Sequence, residues 1–161
     1  MSGRIQSVIK GPHYLAAARL TFAALVLHVT FICVQVGVKL ALKLKVKERK
    51  KLEPNYVYNS YTSDDPNILI ANRLVGNYME WMPVFLGMVW LYAMYVGNPG
   101  YYGWIYLFFR SLYAPLAFSG AISRGGAKPL IYISTMPQYL MIIGMALPIV
   151  YALFVPYDDF S

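Results

Sequence analysis

Four long apolar stretches dominate the chain, at about Tyr14 to Leu42, Ile68 to Val96, Tyr101 to Ile122 and Pro129 to Val155. Each reaches the roughly 20 residues that a helix needs to cross the hydrocarbon of a bilayer. The pattern predicts an all-α chain, an integral membrane four-helix bundle forming one domain over residues 1–161, with the long basic segment 43–67 between the first two helices. Two of the breaks carry local stop and start signals. "DDPN", Asp64 to Asn67, offers Asp65 as an N-cap and Pro66 at the first helical position, where its missing amide hydrogen costs nothing. "VGNPGYYG", Val96 to Gly103, reads as a tight turn, so helices two and three should form an antiparallel hairpin.

Composition agrees with this reading. The 161 residues are 58% hydrophobic and 13% charged, whereas an ordinary soluble domain carries about a quarter charged residues. The first apolar run is too long for the h-region of a cleaved signal and has no small-residue cleavage site after it, so it is expected to stay as an anchor. The net charge of +7 is unevenly placed: "KLKVKERKK", Lys43 to Lys51, and "SRGGAKP", Ser123 to Pro129, fall on one side of a four-crossing topology. The positive-inside rule makes that side cytoplasmic or its organellar equivalent, in the endoplasmic reticulum or another organellar membrane such as the mitochondrial one. A basic run beside a membrane is read here as facing anionic lipid headgroups, with no nucleic acid as partner.

The polar residues inside the apolar runs carry the candidate chemistry. Cys33 is the single cysteine, with no basic neighbour to favour a thiolate, and is assigned to packing. Arg19 is near a helix end, where its stem can snorkel to the interface. His28 is expected to hydrogen-bond a neighbouring helix, and no second histidine stands at a metal-ligand spacing, so no metal site is expected. In helix two, Arg73, Asn77 and Glu80 are spaced by four and three and therefore share a face. Charges at that depth are expensive unless they meet protein or water, so the spacing predicts a polar pocket. Glu80 either pairs with Arg73 or Arg110 to fix helix packing or faces a ligand. Pro83 should bend the helix beside Glu80 by removing the donor to the Met79 carbonyl. In helix three, Arg110, Tyr113, Ala117 and Arg124 fall at spacings of three, four and seven, which again makes one face.

"RLVGNYMEWMPVF", Arg73 to Phe85, resembles the signature of the MAPEG family, membrane-associated proteins in eicosanoid and glutathione metabolism, and "YLFFRSLY", Tyr106 to Tyr113, resembles its third-helix segment. The resemblance implies a homotrimer with sites between neighbouring bundles. It implies glutathione as cofactor, held by Arg73, Asn77, Glu80 and Tyr113, with Arg124 as the catalytic residue that stabilises the thiolate. A lipophilic small-molecule substrate would enter from the membrane lipids. The implied function is a membrane-bound glutathione transferase or peroxidase acting on lipophilic electrophiles or lipid hydroperoxides. The alternative is a non-catalytic lipid-binding scaffold or an accessory subunit of a larger membrane complex. The chain departs from the pattern at Trp81 and Ala117, where the family's synthases carry tyrosines, and at Val75, a polar position in them. The arginine expected after helix one has no equivalent, though Lys39 and Lys43 are close by.

Overall fold

The computed structural model describes residues 11–52, 65–123, 126–127 and 129–154. Among the described residues there are four α-helices: α1 (Pro12–Leu52), α2 (Pro66–Tyr95), α3 (Gly100–Leu116) and α4 (Tyr132–Phe154). Between α3 and α4 lie a π-helical turn (Ala117–Ala121), a two-residue antiparallel pairing of Ile122 with Ala127 and Ser123 with Gly126, and a 3₁₀ turn (Pro129–Ile131).

Each helix buries one stripe. On α1 it is Ala17, Leu20, Ala24 and Phe31; on α2, Leu74, Tyr78, Phe85 and Val89; on α4, Ser134, Gln138, Ile142, Met145 and Ile149. These spacings of three, four and seven are those of a single helical face. Contacts fix the directions. Gln35 Nε2 donates to Asn72 Oδ1 (2.9 Å), the Tyr78 hydroxyl to the Ala24 carbonyl (2.6 Å) and Trp90 Nε1 to Thr21 Oγ1 (3.1 Å), so α1 and α2 run antiparallel. Arg110 against Gln138 and Tyr102 against Gly144 set α4 antiparallel to α3. The 97–100 turn does join α2 to α3, and Phe85 stacks on Tyr106 with centroids 4.2 Å apart. The closest pairings, however, are α1 with α2 and α3 with α4.

Local signals explain the boundaries. Asp65 caps α2 by accepting from the Asn67 amide at 2.8 Å, with Pro66 next in line. Gly97 closes α2 at a φ of 151°, a backbone region that side chains disfavour. At Gly103 α1 and α3 approach closely, since a Cβ there would collide with the Leu20 side chain. Two expectations are corrected. Residues 43–52 are not loop: α1 runs on to Leu52, because Lys, Leu, Arg and Glu are all good helix formers and no proline lies between Lys43 and Pro54. The face running from Arg110 to Arg124 is not continuous. Pro115 sits in the last turn of α3, the chain widens into the π turn, and Gly120 breaks helical geometry at a φ of 92°. Pro83, by contrast, lies within an α2 that continues to Tyr95.

Much of the bundle's exterior is apolar, and a few polar side chains lie within its mainly apolar core. Phe22, Leu44, Phe108, Leu140 and Leu147 are each more than half exposed, while Arg110, Ser134 and Gln138 are buried. A water-soluble protein rarely shows apolar surface on this scale. Two helical segments, Pro12–Glu48 and Pro129–Phe154, are long and apolar enough to cross a membrane. In α2 the charges at Arg73 and Glu80 interrupt the apolar run, and α3 has only 17 residues.

Candidate functional site

The polar stripe of α2 points away from the bundle it belongs to. Leu74, Tyr78 and Phe85 face inward, and that orientation turns Arg73 and Glu80 to the exposed side with Asn77 half-buried between them. The grooves lined by described residues of α1 and α3 do not include this stripe. An apolar groove of about 560 Å³ is lined by α1 and α3, among them Phe22, Val26, Leu27, Trp104 and Phe108, on another side of the bundle. Arg73 and Glu80 thus stand on the outer surface of the described residues, where a further element is needed to enclose a pocket. Of the two alternatives for Glu80, the ion pair is not formed among the described residues: Glu80 pairs with neither Arg73 nor Arg110.

Arg73 and Glu80 are opposite charges seven residues apart, about 10 Å along the helix axis. Asn77 sits between them and can both donate and accept. This donor set suits a ligand with a carboxylate at one end and an ammonium at the other, the guanidinium forking onto the first and the carboxylate accepting from the second. Tyr113 of α3 is buried, and Arg73 lies within its electrostatic reach. Arg73, Asn77 and Tyr113 thus stand toward the end of the bundle built from Phe31, Ile70, Leu74 and Ile131. Arg124 lies outside the described residues, between Ser123 and Gly126.

Behind the stripe lies a polar cluster. Arg110 is only 2% exposed. Its Nη1 donates to Gln138 Oε1 at 3.1 Å, and its guanidinium carbon stands 5.2 Å from the ring centre of Tyr78 and 5.5 Å from that of Tyr113. Gln138 Nε2 in turn donates to the Ser134 carbonyl at 2.7 Å. Arg110 Nε and Nη2 have no acceptor among the described residues. A buried guanidinium held by one amide oxygen and two aromatic faces is electrostatically under-compensated, which makes this layer strongly anion-seeking.

His28 departs from expectation. It stacks on Tyr78, with centroids 5.3 Å apart and planes at 15°, and its buried Nδ1 has no partner among the described residues, so a ring contact takes the place of the interhelical hydrogen bond. Trp81 leans on Tyr139 of α4 at 4.8 Å, turning toward the bundle and not along the Arg73–Glu80 stripe. Tyr139 also lies within electrostatic reach of Arg110 and Tyr113, so α4 contributes a hydroxyl to this region. Gln138 and Tyr139 are the residues that sequence reasoning passed over. Gln138 carried the signal already used for α2, an amide side chain alone in an apolar run. Among the described residues no three His, Cys, Asp or Glu side chains are grouped to hold a metal ion.

Neither a search of curated proteins nor a search of solved structures found a match. The model of the MAPEG family matches residues 15–148, a span that takes in the α2 stripe, the whole of α3 and most of α1 and α4, and the chain belongs to that family.

Proposed function

We propose that the chain is a membrane-bound glutathione transferase or peroxidase acting on lipophilic electrophiles or lipid hydroperoxides. In this reading four helices cross the membrane and the protein works as a homotrimer. The observation that carries it is the outward-facing stripe of Arg73, Asn77 and Glu80. In a lone bundle these charges would meet lipid, at a cost of several kcal/mol each. Packing that face against a second copy removes the cost and makes a polar cleft between protomers. Arg73 would hold a carboxylate of glutathione and Glu80 its ammonium, with Asn77 and Tyr113 completing the set. Bound there, glutathione supplies the sulfur nucleophile. Arg124 has the role of favouring negative charge on that sulfur, because a nearby guanidinium stabilises the ionised form. The apolar exterior lets a lipophilic partner approach from the bilayer.

A second reading has one observation in its favour. Ala117, which stands where the family's synthases carry a tyrosine, is fully buried in an apolar cluster with Phe31, Leu74 and Ile131. No hydroxyl is available at that position, as a non-catalytic lipid-binding scaffold or an accessory subunit of a larger membrane complex would allow. Titration calorimetry of the detergent-purified protein with glutathione separates the two readings. Saturable heat at or below millimolar ligand, lost in Arg73→Ala, supports the enzyme; no heat at millimolar ligand rejects it.

A further inference from the structure

The part of α1 that outruns the bundle has a use of its own. Gln35 is level with Asn72, so Pro66, six residues earlier in α2, is level with about residue 41 of α1. From there α1 continues to Leu52, roughly 16 Å further along one uninterrupted helix. This projecting segment, Lys43 to Lys51, carries six cations and one carboxylate. The turn at the opposite end of the bundle, Gly97 to Gly100, carries no charge at all.

Depth decides what those cations can reach. Arg19 is exposed and shares a shallow surface groove with Trp104, a pairing typical of one membrane boundary. Twenty residues on is Lys39, about 30 Å away and hence at the other boundary. Lys43, Lys45 and Lys47 then stand about 6, 9 and 12 Å beyond the hydrocarbon, and Lys51 about 18 Å. The headgroup layer is roughly 5–7 Å deep and the Debye length about 8 Å at physiological salt. The first three lysines fall within that combined reach and Lys51 does not. Leu40 and Leu44 are 57% and 67% exposed at the same level. Apolar side chains there suit contact with a leaflet better than contact with a soluble acidic protein.

We propose that Lys43, Lys45 and Lys47, on the helical extension of α1, form a binding site for anionic phospholipid headgroups of one leaflet. The site is independent of the α2 stripe and of any activity there. Its effect is to select lipid around α1 and to hold the bundle at a set depth.

The test uses the full chain reconstituted in phosphatidylcholine bilayers, with spin-labelled phosphatidylserine or phosphatidylcholine as the probe of protein-associated lipid. The native chain should prefer phosphatidylserine several-fold, by roughly threefold or more at low salt, with the preference falling as salt rises. The triple variant Lys43→Gln, Lys45→Gln, Lys47→Gln should lose it. The triple variant Lys43→Arg, Lys45→Arg, Lys47→Arg should keep it, which separates loss of charge from loss of fold. The variant Arg49→Gln, Lys50→Gln, Lys51→Gln should retain most of it. Equal association of the two lipids with the native chain overturns the proposal, as does an equal loss in the outer variant. Retention of an acidic protein, released by the inner triple variant in bilayers showing no lipid preference, would also overturn it and assign the extension to a soluble partner.

Discussion

Replacing Gln138 by leucine should destabilise the bundle more than removing the arginine it serves. Among the described residues Gln138 Oε1 is the one acceptor for the Arg110 guanidinium, at 3.1 Å, and Nε and Nη2 are without partners there. Gln138→Leu keeps the side-chain volume and strands the charge. The loss of a hydrogen bond to a charged group, with a buried donor left unmet, amounts to about 2–3 kcal/mol. Arg110→Met gives up the attraction of the Tyr78 and Tyr113 rings, about 0.5–2 kcal/mol, and leaves one neutral amide oxygen unpartnered. It also removes the cost of holding a charge in a 2%-exposed site, which is several kcal/mol. The balance for Arg110→Met is about 1 kcal/mol or less in either direction. The double variant Arg110→Met, Gln138→Leu should then stand within about 1 kcal/mol of the native chain, with a coupling energy near 2 kcal/mol. Unfolding in mixed micelles of rising dodecyl sulfate fraction, followed by helical circular dichroism, measures all four species. If Arg110→Met costs as much as Gln138→Leu, or the two losses simply add, Arg110 is not an under-compensated charge and the reasoning fails.

Three other outcomes can be checked on the same preparation. Tyr78→Phe removes the 2.6 Å hydrogen bond to the Ala24 carbonyl and should cost about 1 kcal/mol in the same micellar unfolding without weakening glutathione binding. Gly103→Ala should cost about 1–3 kcal/mol, because the new Cβ meets the fully buried Leu20, whereas Gly87→Ala, at an open position, should change unfolding by no more than about 1 kcal/mol. Asp65→Ala should cost about 1 kcal/mol through loss of the α2 cap, seen as faster hydrogen exchange at the Asn67 amide, and Asp65→Asn should restore most of it.

Much of the fold is legible in the hydropathy pattern, and the places where it is not have identifiable reasons. Asp65 and Pro66 start α2 where their chemistry says, and Gly97 ends it at the turn before α3. The end of α1 is misplaced because hydropathy stops at Lys43 while helix propensity does not. Membrane boundaries and helix boundaries are different physical events, and Lys43 to Leu52 separates them. The face from Arg110 to Arg124 fails for the opposite reason: spacing was carried through Pro115 and Gly120, the two residues least compatible with an unbroken helix. For the site, Arg73, Asn77 and Glu80 sharing a face is readable from spacing alone. That they look outward follows from the larger apolar stripe of Leu74, Tyr78, Phe85 and Val89, which has first claim on the bundle interior. The Arg110 cluster needed three dimensions, since Tyr78, Tyr113 and Gln138 come from three helices.

The central claim is that the α2 stripe faces a watery cleft between protomers and not lipid. Gly76 lies on that stripe with open space around it, and Val29 of α1 is exposed on an apolar face at a similar depth. In a chain carrying Cys33→Ala, Gly76→Cys and Val29→Cys can each be exposed in intact bilayers to a charged, membrane-impermeant thiol reagent. The account predicts rapid labelling at position 76, slowed by millimolar S-methyl glutathione, and little labelling at position 29. Labelling at position 76 as slow as at position 29 would contradict it.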